Sequence, residues 1–95
     1  MNGLPVEVGG VVLSKAGRDR GRMFLVIEEV DDDFVMVANG DTRKMDRLKK
    51  KRRRHLKPTG HTVQALRDRL LSGQVVQDHE LRAWLREEEE KFVQV

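Results

Sequence analysis

From residue 8 to residue 38, short apolar runs alternate with polar, glycine-bearing breaks, the pattern of strands joined by tight turns. Val8–Lys15 is β-branched and apolar, and Ala16-Gly17-Arg18-Asp19-Arg20-Gly21 supplies a loop with two glycines. Arg22–Val30 is a second run, rich in Leu, Val and Ile. Asp31-Asp32-Asp33 breaks it, and aspartates favour a turn by bonding nearby backbone N–H groups. Phe34–Ala38 is a third strand. The Asn39-Gly40 pair after it predicts a type I′ hairpin turn, because both residues tolerate positive φ. Thr42–Asp46 would then be the returning strand and Arg52–Leu56 a short fifth. Four or five short strands with tight turns predict a small antiparallel barrel, mainly β. Strands two and three are apolar on both alternating sets, so the outer face is expected to be covered, with the C-terminal helices as the cover.

Those helices follow Pro58-Thr59-Gly60, where the apolar period changes from two to nearly four. Thr62 is placed to cap a helix carrying Val63, Leu66 and Leu70, with Gly73 as its stop. Asp78 is placed to cap a second helix with Leu81, Trp84 and Leu85 on one stripe. Glu87–Glu90 reads as a solvated face near the end of that helix, where the macrodipole disfavours negative charge and the helix should fray. The chain therefore divides into a barrel with a basic strand, residues 1–58, and a helical C-terminal extension, residues 59–95.

The charge is unevenly distributed. The net +3 of the 95 residues is made of −4 over residues 1–42, +9 over residues 43–57 and −2 over residues 58–95. A block such as Lys49-Lys50-Lys51-Arg52-Arg53-Arg54 repels itself, and a polyanion relieves that repulsion with release of counterions. Lys15, Arg18, Arg20 and Arg22 on the first loop, with Arg43, Lys44, Lys49–Arg54 and His55 from later segments, are the candidate contacts. Gly17 and Gly21 would allow positive φ and close approach of a bulky ligand. An ordinary hairpin turn with solubilising charges has the same residue types. Phe24 and Phe34 are expected in the core and Trp84 between the tail helix and the barrel. With few rings left for base stacking, recognition of a polyanion by its shape and phosphates is favoured over splayed bases.

Other chemistries find little support. There is no Cys, hence no disulfide, zinc knuckle or thiol nucleophile. His55, His61 and His79 are isolated, and no catalytic triad or carboxylate pair follows from spacing. Asp31–Asp33 lacks the ligand pattern of a calcium loop, and neither GxxxxGK[ST] nor GxGxxG is present. No catalysis, metal or cofactor is expected. The longest apolar stretches are too short to span a bilayer, and no basic and apolar leader is visible, so a cytoplasmic protein with no membrane partner is expected.

The segment Val8–Gly21 followed by Arg22–Val30 resembles the KOW motif, the strand–loop–strand element of small SH3-like barrels in ribosomal proteins and transcription–translation factors. Asp31–Val37, Asn39-Gly40, Arg43-Lys44 and His55-Leu56-Lys57-Pro58-Thr59 extend the likeness. They resemble the archaeal and eukaryotic large-subunit ribosomal proteins of the fourteen-e type, and the small stand-alone KOW proteins of bacteria. The resemblance covers roughly residues 6–59 and is most specific at Ser14–Asp19 and His55–Thr59. It implies an SH3-like (KOW) barrel that binds structured RNA of the translation apparatus, foremost large-subunit rRNA. The C-terminal helices are left for contact with a ribosomal protein or assembly factor. A protein–protein adaptor on the ribosome, RNA polymerase or an assembly factor is the alternative, since such barrels serve both uses.

Overall fold

The computed structural model describes residues 5–93. Five strands, β1 (Gly10–Ser14), β2 (Met23–Glu29), β3 (Phe34–Ala38), β4 (Lys49–Arg52) and β5 (Leu56–Thr62), form one antiparallel sheet in the order β4-β3-β2-β1-β5. The two edge strands are consecutive in the chain, joined only by the 3-10 turn Arg53–His55. In a flat sheet four strand spacings would separate those edges by about 19 Å. Three residues of 3-10 helix advance only about 6 Å. The sheet therefore has to curl until its edges approach, which makes a small barrel.

Alternation sorts the apolar residues into two cores. Val12, Phe24, Val26, Val35, Val37 and Leu56 fill the inside with Val6. Val11, Leu25, Ile27 and Ala38 point outward and are covered by α1 (Gln64–Leu71) and α2 (Asp78–Val93) through Leu66, Leu81 and Leu85. The doubly apolar strands thus have the cover the pattern asked for. Trp84 is half-buried against this outer core. Phe24 is fully buried, whereas Phe34 is only half-buried, since its place on β3 is opposite Arg52 of an edge strand.

Several local expectations need correction. The chain after β3 does not return over Thr42–Asp46. Asn39 keeps a negative φ, and its side-chain oxygen accepts the N–H groups of Asp41 (3.0 Å) and Arg43 (2.9 Å), so an Asx-stabilised loop replaces the type I′ turn. The returning strand is Lys49–Arg52, and Arg52–Leu56 holds the turn to β5 instead of a strand of its own. β5 itself runs on through Pro58-Thr59-Gly60. A proline is tolerated there because β5 is an edge strand and the pairing with β1 shifts register at that point.

Thr62 still pairs with Gly10, so Val63 takes the N-cap position of α1, without a side-chain cap. Helix α1 stops as expected, the N–H groups of Gly73 and Gln74 returning to the carbonyls of Leu70 and Arg69. At α2 the carbonyl of Gln77 accepts the first helical N–H groups, and the Glu80 carboxylate accepts the Gln77 N–H at 3.0 Å. Asp78 instead accepts the Met45 N–H at 2.7 Å, tying α2 to the β3–β4 loop. Nor does α2 fray at its glutamates. Glu88 is buried and meets His61 Nδ1 of β5 at 2.9 Å and Lys91 Nζ at 3.2 Å, which offsets its unfavourable place on the helix.

The two helices are clasped by the Arg69–Glu80 ion pair. Hydrogen bonds from Arg69 and then from the Gln77 N–H hold the Glu80 carboxyl down at about 2. Because this native value lies below the ordinary one, the clasp contributes fully above the ordinary range and weakens as pH falls through about 2. A carboxyl-detected NMR titration should place the Glu80 midpoint near 2. A midpoint at the ordinary 4.5 would mean that the clasp does not form in solution.

Candidate nucleic-acid interface

The β1–β2 loop is built from two successive turns. The Arg20 N–H bonds to the Gly17 carbonyl at 3.2 Å and the Arg22 N–H to the Asp19 carbonyl at 2.8 Å. Gly21 sits at the third position of the second turn with φ +86°, and Gly17 has φ +74°. A methyl group built on either glycine would meet nothing within 4 Å, so their backbone faces open space. Gly21 and Arg22 bond back to Ser14, at 2.8 and 2.9 Å, and close the loop at its base.

This path turns Asp19 inward and its neighbours outward. Lys15, Gly17, Arg18, Arg20 and Arg22 are exposed, while Asp19 is only 7% exposed. The buried carboxylate is where three distant segments meet. Lys51 of β4 approaches it at 3.1 Å, Arg43 of the β3–β4 loop at 3.6 Å and Arg22 at 3.8 Å. Burial works to raise the Asp19 pKa. The Lys51 hydrogen bond and the charges of Lys51, Arg43 and Arg22 outweigh it and hold the carboxyl below its ordinary value. Around one anion the fold thus gathers three cations, with Lys15, Arg18 and Arg20 on the same loop. Those three make no ion pair among the described residues.

The basic strand is divided by its own pleat. Lys50 and Arg52 are exposed, and both lie over the ring of Phe34, at 4.6 and 4.8 Å from its centroid. Lys49 and Lys51 alternate with them and point inward, the Lys51 side chain being only 11% exposed. Arg53 is engaged in the fold, pairing with Glu29 at 3.0 Å and donating to the carbonyls of Asp31 and Val6. Arg54 is exposed. His55 is half-buried, and its carbonyl accepts the Lys15 N–H at 2.8 Å, fixing the start of the loop against the turn. Lys44 is exposed on the β3–β4 loop. The candidate cations therefore form two groups, one at the loop end around Asp19 and one on the outer face of β4 around Phe34.

Two further arginines come from α2. Arg82 donates to the Gly40 carbonyl. With Arg86 it lines a recess of about 450 Å³ between α2, the base of the β1–β2 loop and the β3–β4 loop. Sequence reading placed neither residue in the site, because helical periodicity marks which residues face the core and not which loop an exposed arginine will reach.

No protein-family model matches the chain. It is 33% identical over 58 residues to the large ribosomal subunit protein eL14 of Methanococcus maripaludis, covering 69% of that protein and 61% of this one. This chain belongs to the eL14 family. The eL14 of Desulfurococcus amylolyticus is 29% identical over 58 residues, and the chain spans 60% of that relative's length. The eL14 of Metallosphaera sedula is 26% identical over 83 residues, 87% of this chain and 79% of the relative. The last of these alignments is too long for the barrel alone, so the eL14 likeness reaches into the helical extension. None of the described helices is long and apolar enough to cross a membrane.

Proposed function

We propose that this chain docks on structured RNA of the large ribosomal subunit through the loop end of its barrel, with phosphates as the main contact. The observation that carries this reading is the arrangement at Asp19. A buried carboxylate fixes a loop whose exposed Lys15, Arg18 and Arg20 stand beside bare glycine backbone. Cationic side chains held at a rigid turn suit phosphate oxygens, which set position without reading sequence. Lys50 and Arg52 of β4, presented on Phe34, add a second set of phosphate contacts. That the relatives are large ribosomal subunit proteins supports rRNA as the target. The helices offer a separate place for a neighbouring protein, because Leu71 and Val75 are 67% and 73% exposed near the α1–α2 corner.

Sucrose-gradient sedimentation of a lysate tests the reading. The protein should travel with the large subunit and be released by nuclease. Retention on its particle after the RNA has been digested would contradict RNA docking and favour an adaptor bound to protein.

A further inference from the structure

The recess between barrel and α2 is concave and chemically mixed. Arg22, Arg82 and Arg86 bring three cations, Asp41 and Glu89 two carboxylates, and Leu13, Met23 and Leu85 an apolar lining. At about 450 Å³ it lies within the range of small-ligand sites. It is held in shape by the fold. Gly40, at φ +77°, packs so closely on α2 that an added Cβ would stand 2.3 Å from the Asp78 carbonyl, and Arg82 binds the Gly40 carbonyl. A phosphate alone would be repelled by the two carboxylates and would leave the apolar lining without a partner. A ligand with an anionic end, a flat apolar body and a donor-rich edge satisfies all three kinds of lining.

Rested on the RNA-binding reading above, the geometry points to a site for one guanine nucleotide, unstacked from the RNA, with its phosphate on the arginines and its base edge on Asp41 and Glu89. Ionised carboxylates only accept hydrogen bonds. Guanine is the base that offers two adjacent donors, N1–H and the 2-amino group, on its Watson–Crick edge. Adenine and cytosine set a ring-nitrogen acceptor beside their single amino group, and uracil flanks its one N–H with two carbonyls. Unpaired loop nucleotides of RNA are free to be extruded in this way.

The test uses the full chain, labelled with ¹⁵N and titrated with GMP, AMP, CMP and UMP in turn. Binding is then measured to a stem–loop RNA with a single unpaired guanine in its loop, and to the same RNA with adenine there. GMP should shift the amides of Gly21, Asn39 and Asp41 and bind about tenfold more tightly than the other nucleotides, and the guanine loop should be preferred by a similar factor. Glu89→Gln, on an exposed helix position, should abolish the preference without weakening binding of the adenine loop. Equal affinity for both loops, with no shifts in the recess, would overturn the site while the RNA-binding reading stands. Recess shifts with GMP but no loop preference would overturn its use on RNA and leave a site for the free nucleotide. Failure of either RNA to bind at any salt concentration would instead overturn the underlying reading.

Discussion

Replacing Lys15, Arg18 and Arg20 together by alanine should lower the slope of log affinity against log salt by about 2 to 3, at about 0.7–0.9 for each phosphate contact removed. Between 50 and 200 mM salt, that change makes the loss of affinity about 20- to 40-fold smaller than for the wild type. The three side chains are exposed and make no ion pair among the described residues, so the substitution should leave the unfolding temperature nearly unchanged. Lys51 and Arg53 should behave in the opposite way. Their charges are engaged by Asp19 and Glu29, so alanine there should reduce stability before it reduces binding. Filter binding of rRNA at four salt concentrations, alongside thermal unfolding, separates the two outcomes. An unchanged slope in the loop variant would show that phosphates are not gripped by this loop.

Asp19→Ala is expected to destabilise the fold by about 2–3 kcal/mol, because it leaves the largely buried Lys51 ammonium without its carboxylate. For a chain of this size that corresponds to a fall in Tm of roughly 10–20 °C. Removing Lys51 as well should return part of the loss, since an absent pair costs less than half of one. Above the ordinary carboxylate value of 3.8, the difference between wild type and Asp19→Asn should be complete. It should shrink as pH falls through the lowered native value, where protonation removes the same charge. RNA binding gives a sharper contrast. Counting charge alone, deleting an anion from a basic surface should tighten binding. If Asp19 sets the shape of the loop, the variant should bind more weakly despite its extra positive charge. Thermal melts followed by Trp84 fluorescence and binding at constant salt measure both effects.

The features legible in the sequence were those with a local signature. β1, β2 and β3 announced themselves as short apolar runs between glycine- and aspartate-bearing breaks, and the apolar character of both faces of β2 and β3 required the helical cover that the structure shows. The stop of α1 at Gly73 was written in one residue. β4 was misplaced because Lys49–Arg52 has no apolar residue to alternate with. Its pleat sorts like charges, and only Val35 and Val37 opposite it reveal the register. Asn39-Gly40 has the composition of a tight hairpin, yet the Asn39 side chain stabilises a wider loop. Asp19, Asp78 and Glu88 were misread or passed over for a common reason. Each carboxylate answers a group far away in the chain, Lys51, the Met45 N–H and His61 respectively, and no local pattern carries such a pairing. The Asp19 site did leave one signal: a single acid between Arg18 and Arg20, inside the stretch where the resemblance to ribosomal proteins was most specific.

The central claim is that the loop end of the barrel lies against RNA, and ultraviolet cross-linking in growing cells tests it most directly. The protein should be recovered joined to large-subunit rRNA, with the joined peptides falling within residues 15–22 and 50–54. Recovery free of RNA, or joined only through β5 and the outer faces of the helices, would contradict it.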